Sequence, residues 1–303
     1  MLSNIVRFLF FANYFVGFLA VALSIETAYQ LALPFLSAEY YLLLFSVTVL
    51  YYTFAYANPG TSASPNPRTA WYQQHRTFAA RSQLMLLVVS IVLATKIFIQ
   101  NFYKIISLPW PYWLLLGAMV LAAALYYGLL PKSLYRLNLR NTGWLKAFVI
   151  GFVWAGCVNI LPITMARVEQ GIHVAEPGFM LWLFLKNWMF CTVNAIMFDI
   201  KDYEDDSNRQ LKTFVVRFGL YRTITFILIP LLLVGLLALL LFARYKHFAP
   251  ETVLFNTIPF LSLLWVAFSL HTPKKILFYL IVIDGLLLVK AICGILGIIY
   301  AHQ

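Results

Sequence analysis

The chain has 303 residues, 62% of them hydrophobic and only 11% charged, with a mean hydropathy of +0.83. Soluble domains carry about 25% charged residues, so an ordinary soluble domain is excluded, and so is a membrane β-barrel, whose strands alternate apolar with polar. The formal charge of +11 fits basic loops facing anionic lipid and does not imply nucleic acid.

Apolar runs long enough to cross about 30 Å of hydrocarbon as α-helix predict nine spans in one polytopic membrane domain, residues 1–303. They fall at 6–28, 38–57, 82–101, 112–131, 146–166, 179–200, 221–243, 252–271 and 276–300. The first run has a signal-peptide look, with Ala20 and Ala22 at a cleavage position, but a retained helix fits the charges better. With the N-terminus inside, 15 of the 22 basic residues lie on the inner face. This predicts N-terminus in, C-terminus out, and polar loops on the cytoplasmic side of a membrane, expected to be a bacterial cytoplasmic membrane.

The two longest inner loops begin near Asn58 and Asp199, 141 residues apart, and spans 4 and 8 end near Pro131 and His271, 140 apart. Such spacing suggests two four-helix halves plus a ninth helix. After span 4, Lys132, Arg136 and Arg140 share one helical face. After span 6, five of the eleven acidic residues fall within eight positions, Asp199-Ile-Lys-Asp202-Tyr-Glu204-Asp205-Asp206. If the helix continues, Asp199, Asp202 and Asp206 at i, i+3 and i+7 aim three carboxylates at one volume. Carboxylates so close repel unless neutralised, and hard oxygen ligands beside a phosphate suit Mg²⁺. A solvated, charge-mixed loop is the plainer alternative.

In these features the sequence resembles the UbiA superfamily of intramembrane prenyltransferases. The stretch from Phe198-Asp199 through Lys212-Thr213 to Phe218-Gly219 is similar to that family's second aspartate motif and the Phe-Gly pattern after it. Phe198 stands where an Asn is common and Gln210 where a Gly is usual. The resemblance implies a helical barrel opening sideways to lipid. It also implies Mg²⁺ on aspartates holding an isoprenoid diphosphate, and an allylic carbocation captured by a lipophilic acceptor, an aromatic one above all. By the same resemblance Asp199, Asp202 and Asp206 are the metal ligands and, with Lys212, the catalytic set. As basic side chains of the inner loops able to hold a diphosphate directly, Lys132, Arg136, Arg140, Arg209 and Arg68 are the candidate diphosphate contacts, together with Asn58.

The family's first motif is degenerate here. Asn58, Ser62 and Asn66 keep its spacing without its carboxylates, and no acidic residue occurs between Glu39 and Glu169. Three readings stay open: a one-metal enzyme, an enzyme with a different donor, and a non-catalytic relative binding an isoprenoid lipid or membrane partner. A small secondary transporter using Lys186, Asp284 and Lys290 is a further alternative. These charges inside spans need partners, and Lys186 with Asp284 is the expected pair, while Asn13, Asn187 and Asn194 are expected to bond between helices. The three cysteines and five histidines show no disulfide, zinc or haem spacing. Donor length, acceptor identity and protein partners have no sequence signal.

Overall fold

The computed structural model describes residues 2–57, 67–127, 143–174, 176–208, 210–272 and 274–301, and among these every regular element is helical. Asn58, Ser62, Asn66, Lys132, Arg136, Arg140 and Arg209 lie outside the described residues. The first half contains α1 (Leu2–Phe11), α2 (Tyr14–Gln30), α3 (Ala38–Ala57), α4 (Pro67–Gln74), α5 (Arg76–Gln100), α6 (Phe102–Ile106) and α7 (Trp110–Tyr127). The second half contains α8 (Leu145–Gln170), α9 (Pro177–Lys201), α10 (Tyr203–Asn208), α11 (Phe214–Phe218), α12 (Leu220–Tyr245), α13 (Pro250–Ser269) and α14 (Ile276–Ala301).

Six of these, α5, α8, α9, α12, α13 and α14, are each long and apolar enough to cross a bilayer. The broken α1–α2 pair, bent by 65°, makes a seventh if it counts as one span. The protein is therefore an integral membrane helical protein, but the nine expected spans are not established. Helix α3, 20 residues long with five tyrosines, is not one of the six. The 18 residues of α7 reach only about 27 Å at 1.5 Å per residue.

Around the bundle, neighbours run α5, α3, α2, α14, α13, α12, α9, α8, α7. The main core lies among α8, α9, α12, α13 and α14, where Phe190, Phe260, Leu228 and Leu263 are fully enclosed. A helix apolar on all faces suits this position, with one side on protein and the other on lipid. Asn13 makes the bend between α1 and α2 by adopting a left-handed conformation (φ 65°), which Asn tolerates better than most residues. The carbonyls of Phe10 and Phe11 at the bend accept from Arg68 Nη2 (3.4 Å) and Nε (2.9 Å).

Three wide, π-type turns interrupt the long helices, at Gly156–Ile160, Ile224–Leu228 and Tyr279–Ile283. The first two end two residues before Pro162 and Pro230, which lack the N–H for a regular helical bond. The third lies in α14, which contains no proline.

The expected Lys186–Asp284 pair does not form. Lys290 Nζ lies 2.5 Å from Glu26 Oε2, while Lys186 Nζ lies 4.0 Å from Glu26 Oε1 and donates to Asn256 Oδ1 at 3.0 Å. Glu26 of α2 reaches both lysines because α2 packs against α14 and because Gly294 leaves room for its side chain. The interhelical roles expected of the asparagines hold: Asn187 donates to Asn159 Oδ1 (3.0 Å), Asn194 to the Ile283 carbonyl (3.0 Å), and Asn13 to Thr53 (3.0 Å).

Candidate active site

A polar chamber of about 200 Å³ lies where α9 leaves the bundle. Its charged wall is Arg68, Lys146, Lys201, Asp199, Asp202 and Asp284, with Asn13 and Asn194 beside them. It meets an apolar chamber of about 500 Å³ at Tyr52, Tyr126, Ile150 and Trp154, side chains that line both. The apolar chamber continues between α3, α5, α7 and α8, past Ile97 and Met119, to Tyr40, Leu161 and Met165.

Lys146 organises the polar end. Gly143 turns the chain into α8 with φ +66°, so close to Lys212 that a Cβ there would overlap the Lys212 carbonyl. The turn sets Lys146 on the first turn of α8, its Nζ 2.9 Å from Asp199 Oδ1 and 3.6 Å from Asp206 Oδ2. Asp199 is only 2% exposed, and its Oδ2 has no hydrogen-bond partner among the described residues. An unsatisfied buried carboxylate oxygen is costly, and here it sits on the wall of a chamber.

The expected convergence of Asp199, Asp202 and Asp206 is not what forms. Helix α9 ends at Asp202 (φ −93°, ψ 9°), so the three do not share one continuous helix. Asp202, with its side chain 32% exposed, pairs with Lys201 at 2.8 Å, while Asp199 and Asp206 share Lys146. Among the described residues no three acidic, histidine or cysteine side chains gather as a metal cluster would require.

Lys212, expected to be catalytic, is exposed and does not line the chamber. Its segment contributes backbone instead: buried Thr213 caps α11 by accepting from the Val216 N–H (3.4 Å), and Gly219 makes the next turn at φ +80°. Arg68, an expected diphosphate contact, does line the chamber. Its Nε and Nη2 are engaged by the bend carbonyls, and it also donates to Asn13 Oδ1.

A family model described as the UbiA prenyltransferase family matches residues 78–280. The chain belongs to that family. No curated protein sequence matches it. Among solved structures, one from work on digeranylgeranylglyceryl phosphate synthase in membranes superposes on 96% of this chain and 98% of its own, with a TM-score of 0.52 and 15% identity. At that identity the likeness concerns the fold alone. Within this UbiA-family chain the matched region carries Lys146, Asp199, Asp202 and Asp206, whereas Asn13, Arg68 and Asp284 reach the same chamber from outside it.

Two of these positions escaped the sequence reading as site residues. Lys146 was one of many inner-face basic residues, and its only distinguishing mark is its place after a Gly-Trp turn at the head of a span. Asp284 carries two sequence expectations, a structural pair with Lys186, which does not form, and a transporter charge, and neither places it at this chamber.

Proposed function

We propose that this UbiA-family protein transfers a prenyl group from an isoprenoid diphosphate to a lipophilic acceptor inside the membrane. The observation that carries this reading is the pair of chambers: a small charged one meeting a larger apolar one, the shape of an anionic headgroup with a long hydrocarbon tail. Among the described residues the polar chamber's wall is close to neutral, with Arg68, Lys146 and Lys201 set against Asp199, Asp202 and Asp284. A diphosphate carrying two or three negative charges therefore calls for added positive charge.

Mg²⁺ fits that need. It usually takes one or two carboxylates with water and phosphate oxygens completing the shell, and the Lys146 ammonium marks a cation position between Asp199 and Asp206. Asp199, through its unpartnered Oδ2, and Asp206 would hold the ion. When bound, it would supply electrostatic stabilisation of the charge developing on the leaving diphosphate. The chain's own part is to hold the headgroup at Lys146 and Lys201 and to keep water from C1 of the donor with Tyr52, Tyr126 and Trp154. The rings at the meeting of the chambers also present faces that favour a developing carbocation. On this reading the polar end faces the cytoplasmic side, in keeping with the basic inner loops.

One observation favours a non-catalytic binder: the cation position between Asp199 and Asp206 is filled by Lys146 of the chain itself. Binding measurements test the shared premise of both readings. Geranylgeranyl S-thiolodiphosphate is expected to bind the purified protein in lipid more tightly than inorganic pyrophosphate or geranylgeraniol. Equal binding of the alcohol would remove the diphosphate from the proposal.

A further inference from the structure

One carboxylate of the polar chamber has no part in holding the donor headgroup. Asp284 lines the chamber from α14, between Leu280 and Leu287, which line it too. It makes no hydrogen bond or ion pair among the described residues; the charges that act on it are Arg68 and Lys201. Such a carboxylate inside a membrane helix is costly to keep and marks a function by default.

The backbone around it is specialised. Asp284 follows the wide turn Tyr279–Ile283, the one of the three described wide turns that no proline accounts for. A wide turn adds a residue to the helix and so rotates everything after it to a new face. This turn is held from outside by Asn194 of α9, whose Nδ2 donates to the Ile283 carbonyl at 3.0 Å. Asn194 lies five residues before Asp199 and lines the same chamber. One side chain thus ties the Asp199 wall to the turn that aims Asp284. Besides the cations Arg68 and Lys201, the chamber wall that carries Asp284 includes the apolar Leu280, Leu287 and Phe198, a mixture that suits a lipophilic group bearing one polar function.

We infer that Asp284 is a catalytic residue on the acceptor side, taking a lipophilic alcohol or phenol by its hydroxyl group. This rests on the donor chemistry proposed above. In the transfer, the bond from donor C1 to the diphosphate oxygen breaks and its electron pair leaves on the diphosphate. A lone pair of the acceptor hydroxyl oxygen forms the new bond to C1, and the hydroxyl proton passes to the Asp284 carboxylate. The product is a prenyl ether.

The test uses purified full-length protein in lipid with Mg²⁺, a series of geranyl, farnesyl and geranylgeranyl diphosphates, and 1-decanol and 4-hexylphenol as acceptor probes. Pyrophosphate and prenyl ether are both measured. In Asp284→Asn the ether formed per pyrophosphate released is expected to fall on the order of 100-fold, the scale of a lost general base. Asp284→Glu, which keeps the charge, is expected to lie between the amide variant and the wild type. An unchanged ratio in Asp284→Asn overturns the inference, as does a parallel fall of both products; if that variant does not fold, a wild-type ratio in Asp284→Glu overturns it equally. Pyrophosphate release without ether from either probe in the wild-type protein defeats the inference alone. No release from any donor defeats the donor reading and this inference together.

Discussion

Asp199 and Lys146 form the ion pair on which the polar chamber depends, and both are largely withdrawn from water. Removing one member of a buried pair leaves the other charge uncompensated, which typically destabilises by about 3 to 5 kcal/mol. Lys146→Met is therefore expected to lower thermal stability in the absence of Mg²⁺ by a similar amount, with part of the loss recovered when Mg²⁺ is added. Unchanged melting, or a loss that Mg²⁺ does not touch, would remove the cation position from between Asp199 and Asp206. A second expectation separates the aspartates. Asp199→Asn is expected to reduce pyrophosphate release by about 100-fold or more. Asp202→Asn, at a partly exposed side chain already paired with Lys201, is expected to stay within about tenfold. Equal losses would show that Asp202 leaves Lys201 and acts beside Asp199 when substrate is bound. The acidic cluster was legible in the sequence because five acidic residues in eight positions stand out in so apolar a chain. The pairing within it was not, because it depends on where α9 ends and on a lysine 53 positions earlier than Asp199.

Long apolar runs locate the main helices well, since crossing hydrocarbon demands both length and apolarity and leaves few other solutions. What such runs do not carry is their interruptions. The bend at Asn13 depends on one left-handed residue and on Arg68 capturing the carbonyls it exposes, a partner 55 residues away. Likewise the wide turn before Asp284 is held by a side chain on another helix. Both of these interruptions border the polar chamber, where backbone groups find partners that lipid cannot supply. The turn into α8 offers a direct test of this scale. Gly143→Ala would place a methyl group against the Lys212 carbonyl at a residue with φ +66°, and the strain is expected to lower stability by about 1 to 3 kcal/mol. Because the same turn sets Lys146, activity should fall in parallel; a neutral substitution would mean that the segment bearing Lys212 moves freely relative to α8.

At the scale of the whole molecule, two chambers of opposite character share one neck of three aromatic side chains and Ile150, and the larger one runs away from the charged end toward Leu161 and Met165. If that chamber holds the donor's tail, filling its far end shortens the tail it accepts. Met165→Trp is expected to shift preference from geranylgeranyl toward geranyl diphosphate by about tenfold or more, measured as the ratio of kcat/KM values. An unchanged preference would direct the tail elsewhere, for example into lipid. The membrane class, the family and the acidic wall of the site could all be read from residue order. The chamber itself could not, since Asn13, Arg68, Lys146, Asp199 and Asp284 come together only when the first and last helices close on the middle of the chain. The most direct single measurement is pyrophosphate release from geranyl, farnesyl and geranylgeranyl diphosphates by the purified protein in lipid, with and without Mg²⁺, beside Asp199→Asn. Release that requires both the ion and Asp199 is the expected result; release indifferent to either, or none from any donor, would contradict the proposed ionisation chemistry.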